Sequence, residues 1–169
     1  MNKIGILIPT ASRPYHVRCA ALQFNNQTRL PDIVCFHQNG RENIKSYEHF
    51  IKDIKLNYDY HWMHNPFDVS VDERYSFPTK YLLDQGCEYF FYCDDDDIYY
   101  SNHIEDSVQT MISEKCDIMI RNKCSWMKFK YEPWQSIYDF EIETQFTAHA
   151  NIGVSNSIVF NRRFAEEYI

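Results

Sequence analysis

Residues 89–100 read YFFYCDDDDIYY, in which four consecutive carboxylates, Asp94 to Asp97, follow an apolar run. The run over residues 88–93 predicts a buried strand, so the four acids fall at a strand end. Neighbouring like charges about 4 Å apart repel by about 1 kcal/mol in water and by about 4 kcal/mol at an effective dielectric of 20. We therefore expect a compensating charge at this strand end, and a divalent cation is the first candidate.

Outward from this strand end, strand patterns alternate with helical patterns along the chain. Strands are predicted over residues 4–8, 32–37, 58–64, 88–93, 117–120 and 157–160, and helices over residues 15–25, 43–54, 71–84, 102–114 and 163–169. Residues 38–40 are predicted to form a turn, and Pro78 marks a start or a kink in the third helix. Such alternation indicates crossover connections. We predict one domain over residues 1–169, a three-layer α/β/α sandwich with a mostly parallel central sheet.

The amino-acid composition argues against nucleic-acid binding, a membrane span and a zinc or redox site. The chain has 24 acidic and 17 basic residues, a net charge of -7, and no basic cluster, so a nucleic-acid partner is not expected. It shows no signal peptide and no run of about 20 apolar residues. We therefore expect a soluble, cytoplasmic protein without a transmembrane segment. Its six cysteines contain no C-x-x-C pair, which favours reduced packing residues over a zinc or redox site.

Three polar segments are predicted to meet at one edge of the sheet. In open parallel sheets, ligands bind beyond the carboxyl ends of the strands, where residues 10–13, 38–40 and 94–97 fall. In an extended chain Asp94 and Asp96 would point the same way and Asp95 the opposite way. The first two could then share Mg²⁺ or Mn²⁺ with substrate phosphates, and at least one carboxyl should hold its proton more tightly until metal arrives. The alternative is a solvated turn before the helix at Asn102.

Two segments carry a family resemblance. Residues 4–13, IGILIPTASR, resemble the first strand and V-P-T-x-x-R loop of family 2-type GT-A glycosyltransferases, and residues 89–97, YFFYCDDDD, resemble their strand ending in D-x-D-D. The likeness covers most of the chain. It implies a GT-A fold and transfer of a sugar from a nucleoside-diphosphate sugar, a UDP-sugar by default, to a carbohydrate or other hydroxyl acceptor, with inversion. It also implies a Mn²⁺ or Mg²⁺ cofactor.

The resemblance also implies particular site residues. Asp94 and Asp96 would hold the metal, with His149 as a further candidate ligand. The implied nucleotide-sugar contacts are Pro9, Thr10, Arg13, Gln38, Arg74, Lys80, Asp94, Asp95 and Asp96. The candidate general bases are Asp139, Glu141 and Glu143, unless the base lies beyond a truncated C-terminus. The sequence departs from the family at residues 37–40, HQNG, where members often carry a base-reading acid, so the base is left open.

Other functions compete with this one. A non-catalytic module for a nucleotide sugar or a divalent cation stays open, and so does a nucleotidyltransferase. Residues 92–95, YCDD, match the Y-x-D-D motif of reverse transcriptases, but helix signals follow from Asn102 and the chain is short and acidic. A phosphatase of the haloacid dehalogenase type needs D-x-D after the first strand, where this chain has Ile8-Pro9-Thr10.

Overall fold

The computed structural model describes residues 2–11, 13–40, 45–65, 67, 69–120, 123–129, 142–148 and 158–169, the segments 123–129 and 142–148 as backbone only. The strands are β1 (Ile4–Thr10), β2 (Ile33–Asn39), β3 (Asp59–Asn65), β4 (Tyr89–Tyr92), β5 (Asp97–Ile98), β6 (Ile118–Ile120), β7 (Lys123–Phe129), β8 (Ile142–Ala148) and β9 (Ile158–Asn161). The helices are α1 (Pro14–Phe24), α2 (His49–Lys52), α3 (Val71–Asp84), α4 (His103–Glu114) and α5 (Arg162–Tyr168).

The main sheet has six strands in the order β3-β2-β1-β4-β9-β6. Strands β1 to β4 run parallel to one another, while β9 runs antiparallel to both β4 and β6. A second, antiparallel sheet has the order β5-β7-β8 and begins at Asp97, the last residue of the acidic run. The prediction of a mostly parallel central sheet is confirmed. The carboxyl ends of β1, β2 and β4 therefore lie side by side.

Helices cover both faces of the main sheet. On one face, Phe24 of α1, Ile51 of α2 and Ile104 of α4 share a core with alternate residues of the strands. On the other face, Leu82 of α3 and Ala165 of α5 belong to a second core. Burial of one large apolar side chain contributes roughly 1.5–3 kcal/mol, so two such cores stabilise a three-layer sandwich. This confirms the predicted fold class.

Strand β1 is apolar on both faces because both faces are covered. The side chains of Ile6, Leu7 and Ile8 are inaccessible to solvent. Gly5 lies so close beneath α3 that a Cβ atom there would stand 3.0 Å from the Sγ of Cys87 and 3.0 Å from the Cδ1 of Leu82. The close approach of helix and strand therefore favours glycine at this position.

The segment between β2 and β3 differs from its prediction. Gln38 and Asn39 extend strand β2, in register with His64 and Asn65, rather than forming a turn. The described helix α2 spans only His49–Lys52, not residues 43–54. A side chain explains the shortening, because Gln38 donates to the carbonyl of Lys45 at 3.0 Å and accepts from the backbone N–H of Tyr47 at 3.1 Å. These bonds hold residues 45–47 in a non-helical path.

A proline and a capping box mark the starts of two helices. Helix α1 has Pro14 at its first position, and α3 spans Val71–Asp84 as predicted, with Pro78 inside it. Helix α3 starts with a capping box that was not among the predictions, in which Ser70 and Glu73 bond each other's backbone N–H groups. Asn102 precedes α4 but makes no side-chain cap hydrogen bond.

The cysteines agree with the packing interpretation where they are described. Free thiols stand at Cys19, Cys35, Cys87, Cys93 and Cys116. Burial raises the pKa of Cys35 to about 12 and, as the largest cause, that of Cys87 to about 11, which leaves both thiols protonated and unreactive. No helix in the described part of the chain is long and apolar enough to cross a bilayer.

Candidate functional site

A cleft opens where the carboxyl ends of β1, β2 and β4 meet the N-terminal half of α3. Its lining residues are Pro9, Thr10, Ala11, Arg13, Asn39, Arg74, Tyr75 and Asp94. Strand β1 and its loop supply the first four, the end of β2 supplies Asn39, and the loop after β4 supplies Asp94. The fold therefore brings together five predicted nucleotide-sugar contacts: Pro9, Thr10, Arg13, Arg74 and Asp94.

The four consecutive aspartates occupy different environments. Residues 95 and 96 form a turn, so the alternation expected of an extended chain does not apply. Asp95 is fully buried, whereas the Asp96 side chain is 40% exposed. Asp94 lines the cleft, and its backbone N–H donates to the hydroxyl of Tyr99 at 3.0 Å. Asp97 is buried and starts strand β5.

Asp95 is bound from the first loop rather than facing away from it. The hydroxyl of Thr10 donates to Asp95 Oδ2 at 2.5 Å, and the hydroxyl of Tyr47 in turn donates to Thr10 Oγ1 at 2.9 Å. Arg13 Nη2 lies 2.5 Å from Asp95 Oδ1. That contact is an ion pair in which no N–H points at the oxygen, so Oδ1 has no hydrogen-bond partner within the described ranges.

Burial decides the charge of Asp95. It raises the pKa of this carboxyl to about 7, although Arg13 and the Thr10 hydrogen bond lower it, and the carboxylates of Asp96 and Asp94 raise it further. The expectation that one carboxyl of the cluster holds its proton more tightly is confirmed. The larger cause, however, is removal from water rather than the neighbouring charges.

Arg13 supplies a compensating charge from within the protein. Its Nη1 donates to Asp96 Oδ2 at 2.5 Å while Nη2 pairs with Asp95, so one guanidinium bridges both acids. Burial lowers the pKa of Arg13, but Asp95, Asp96 and Asp94 outweigh that effect and leave it raised. Beside it, burial and then the charge of Arg13 lower the pKa of His16 to about 4, so this imidazole is neutral at pH 7.

Asn39 brings an unmet acceptor to the cleft. It is 2% exposed, its Nδ2 donates to the carbonyl of His37 at 3.2 Å, and its Oδ1 has no hydrogen-bond partner among the described residues. The sequence placed residues 38–40 at this edge of the sheet and indicated Gln38, but not Asn39, as a nucleotide-sugar contact. Tyr75 and Tyr47 were not identified either, because nothing in their local pattern separates them from ordinary amphipathic positions.

Other predicted site residues lie away from the cleft or outside the described residues. Gln38 is fully buried and holds residues 45–47. Lys80 is an exposed residue of α3 that does not line the cleft. Glu143 belongs to strand β8, of which only the backbone is described. Asp139, Glu141 and His149 lie outside the described residues.

The aspartates of the acidic run differ in how well they suit Mn²⁺ or Mg²⁺. Within the described ranges, no group of three His, Cys, Asp or Glu side chains is placed to hold a metal ion. Mg²⁺ is commonly bound by one or two carboxylates, with substrate phosphates and water completing its shell. Asp94 in the cleft and the partly exposed Asp96 suit this mode, whereas Asp95 is buried against Thr10 and Arg13.

Comparison of the sequence with family models and with curated proteins finds no match. The fold, in contrast, matches solved structures. Residues 1–349 of Staphylococcus aureus TarS superpose with a TM-score of 0.55 at 11% identity, covering 70% of this chain and 34% of that one. A TarS structure in complex with UDP gives the same values. The present chain therefore spans about a third of the TarS chain.

Two synthetases match over more of the chain. CMP:2-keto-3-deoxy-manno-octonic acid synthetase complexed with CTP has a TM-score of 0.56 at 9% identity, covering 99% of this chain and 77% of its own. The 4-diphosphocytidyl-2C-methyl-D-erythritol synthase of Anaerococcus prevotii has a TM-score of 0.55 at 14% identity, covering 99% and 75%. At these identities the likeness establishes the fold alone.

Proposed function

Because the chain has the GT-A-like fold of nucleotide-sugar transferases, we propose that it binds a nucleoside-diphosphate sugar in this cleft and transfers the sugar to a hydroxyl acceptor. The observation that carries the proposal is the meeting of Thr10, Arg13, Arg74 and Asp94 at the carboxyl ends of neighbouring parallel strands. Ligands bind at such edges in open α/β sheets. A UDP-sugar is the donor to test first.

Charge supports a diphosphate ligand in spite of the acidic chain. Arg74 and Arg13 both line the cleft and offer cationic donors to phosphate oxygens. Asp94 offers a carboxylate that can accept hydrogen bonds from ribose hydroxyls, the role that the family resemblance implies. Asn39 Oδ1 offers an acceptor to a donor group of the ligand, because no donor from the described part of the chain reaches it.

Asp94 and Asp96 would hold Mn²⁺ or Mg²⁺ in this proposal. When bound, the ion would supply Lewis-acid stabilisation of the charge that develops on the departing nucleoside diphosphate. Asp96 would first have to loosen its ion pair with Arg13. Both side chains are about 40% exposed, and exposed pairs contribute only about 0–1 kcal/mol, so this exchange costs little. Arg13 then becomes available to the donor.

Inversion in a single displacement requires a base for the acceptor hydroxyl. The candidates remain Asp139, Glu141 and Glu143. The backbone of Glu143 lies in the sheet that starts at Asp97, since Asp97 is in register with Trp126 on β7 and Trp126 with Gln145 on β8. In that sheet, β7 lies between the strand of Glu143 and the strand that leaves the acidic run.

Nucleotidyl transfer is a second candidate function, favoured by the two synthetases that superpose on 99% of the chain. Its substrate, a nucleoside triphosphate, carries more negative charge than a nucleotide sugar. The cations lining the cleft in the described part of the chain are Arg13 and Arg74, and Arg13 already pairs with two carboxylates. This charge balance favours the diphosphate sugar.

Thermal-shift screening with and without Mn²⁺ tests the proposal, because a ligand stabilises by RT ln(1 + [L]/Kd) only when it binds the folded state. We expect nucleotide sugars to raise Tm more with Mn²⁺, and Asp96→Ala to abolish the Mn²⁺-dependent part. Asp84→Asn, an exposed acid at the end of α3, is the matched control. If the Asp96→Ala variant kept the Mn²⁺-dependent part of the Tm rise, the metal assignment would be contradicted.

Product analysis separates the candidate functions. A transferase should release nucleoside diphosphate slowly from the donor even when water is the only acceptor. A nucleotidyltransferase should release pyrophosphate from a nucleoside triphosphate and a sugar phosphate. A passive binding module would show a Tm rise and neither product.

A further inference from the structure

Helix α3 carries Arg74 and Tyr75 into the cleft, and it contains a proline, Pro78, one turn further along. Pro78 has no backbone N–H, so the carbonyl of Arg74 loses its partner four residues along the helix. The proline ring also crowds that carbonyl and pushes it out of line. A carbonyl released in this way must find another donor when it is buried.

His37 provides that donor. Its Nδ1 lies 3.0 Å from the Arg74 carbonyl oxygen. A carbonyl can only accept, so His37 carries its proton on Nδ1. The ring is 1% exposed, and burial lowers its pKa, which keeps it neutral. Its backbone belongs to β2, two residues before the cleft residue Asn39, so the bond joins the helix to the strand on which the cleft is built.

A second anchor holds the next carbonyl. The hydroxyl of Thr79 donates to the carbonyl of Tyr75 at 2.7 Å, and the hydroxyl of Tyr92 on β4 lies 3.2 Å from Thr79 Oγ1. The Tyr75 ring stacks on Tyr92, with centroids 4.8 Å apart. The turn of α3 that faces the cleft is therefore joined to both β2 and β4.

We propose that His37 is a positioning residue of the donor site, which binds the carbonyl freed by Pro78 and so fixes on β2 the helical turn that presents Arg74 and Tyr75. The inference rests on the proposed function for the identity of the ligand. Pro78 and the hydrogen bond from His37 act together, because the proline frees the Arg74 carbonyl that accepts from His37 Nδ1. We call this pair the His37 device.

The device predicts an unusual rescue. His37→Leu removes the hydrogen bond from His37 to the Arg74 carbonyl, and we expect it to weaken binding of UDP with Mn²⁺ about tenfold, a factor that corresponds to about 1.4 kcal/mol. His37→Asn keeps an N–H donor near the position of Nδ1 and should stay within about threefold of wild type. Pro78→Ala restores a backbone N–H to the helix, so His37→Leu combined with Pro78→Ala should recover most of the lost affinity.

Calorimetric titration with UDP and Mn²⁺ measures these affinities for wild type, His37→Leu, His37→Asn, Pro78→Ala and the double variant. His49→Leu is a control at an exposed histidine of α2. Urea unfolding of His37→Leu, Pro78→Ala and the double variant supplies a readout independent of nucleotide, and ¹⁵N NMR of the imidazole identifies the nitrogen that carries the proton. We expect His37→Leu to destabilise the wild-type protein more than it destabilises the Pro78→Ala variant, and the proton to lie on Nδ1.

The outcomes separate the two proposals. Failure of wild type to bind UDP would count against the proposed donor, while the unfolding cycle and the NMR signal would still judge the His37 device. Equal destabilisation in both backgrounds, or a proton on Nε2, would overturn the device. Unchanged UDP affinity in a folded His37→Leu variant would overturn its positioning role.

Discussion

The hydroxyl of Thr10 donates a 2.5 Å hydrogen bond to the buried carboxyl of Asp95, 85 residues further along the chain. This bond joins the loop after β1 to the loop after β4. Because Tyr47 donates to the same Thr10 oxygen, the segment after β2 joins the same network. The cleft is thus built on a buried polar network that links three strand ends.

Thr10→Val should destabilise the protein. The substitution keeps the shape of the side chain but removes the hydroxyl, so Asp95 Oδ2 loses the donor Thr10 and the Tyr47 hydroxyl loses one of its two partners, the other being the backbone of Arg13. A buried polar group left unsatisfied costs about 1–3 kcal/mol. Urea denaturation should detect the loss, and Thr10→Ser, which keeps the hydroxyl, should stay close to wild type. Equal stability of the Val and Ser variants would show that the bond contributes little.

Asp95 should make stability depend on pH in the direction opposite to an ion-paired exposed carboxyl. Its pKa is about 7 in the folded protein against an ordinary 3.8, so between these values the folded state binds more protons. The stability it contributes is present below about pH 4 and is lost as pH rises through 7. In metal-free buffer, Asp95→Asn should remove this part of the pH dependence.

The free energies of unfolding of wild type and Asp95→Asn must be compared as a difference at each pH, because His16 changes stability with pH in the opposite direction to Asp95. Its pKa is lowered to about 4 from 6.5, so its contribution grows as pH rises between those values. Wild type and the Asp95→Asn variant share this contribution of His16 to stability. The free energy of unfolding of wild type minus that of Asp95→Asn should therefore fall from pH 4 to pH 8. A flat difference would contradict the assigned burial of Asp95.

Arg13 should compete with metal for Asp96. Because its guanidinium bridges Asp95 and Asp96, removing it leaves Asp96 without its counter-charge. We expect Arg13→Gln to bind Mn²⁺ alone about fivefold more tightly than wild type, as suits an exposed pair worth about 1 kcal/mol. Arg13→Lys should show a smaller change. Calorimetric titration with MnCl₂ measures both, and weaker Mn²⁺ binding by Arg13→Gln would count against the competition.

Gly5→Ala should strain the contact between β1 and α3. The added Cβ would lie 3.0 Å from a methyl group of Leu82 and from Cys87 Sγ, and overpacking of a core costs about 1–3 kcal/mol. Gly5→Ala combined with Leu82→Val should recover part of this loss, because valine is shorter. Thermal unfolding of Gly5→Ala, Leu82→Val and the double variant checks the prediction, and an unchanged Tm for Gly5→Ala would contradict it.

The fold was predictable because its strongest signals are local. Strand β1 is a continuous apolar run because both of its faces are covered, and α3 ends at Asp84, just before Gly86 with its φ of 80°. The helix predicted over residues 43–54 was right for His49–Lys52 but wrong over residues 45–47, because the Gln38 side chain competes for the backbone of Lys45 and Tyr47. Periodicity cannot register a side chain that bonds the backbone seven and nine residues away.

The acidic cluster shows the same limit. The sequence predicts that a charge must balance Asp94 to Asp97, and that is correct. It does not reveal that Arg13, 83 residues before Asp96, supplies such a charge, nor that a turn buries Asp95. Such pairings arise only when β1 and β4 become neighbours.

The most direct test of the central claim is anomalous diffraction from crystals grown with Mn²⁺ and a nucleotide sugar such as UDP-glucose. We expect a manganese peak beside Asp94 and Asp96, with the diphosphate between the ion and Arg74. Nucleotide density elsewhere on the protein, or a filled cleft with no manganese beside these carboxylates, would contradict it.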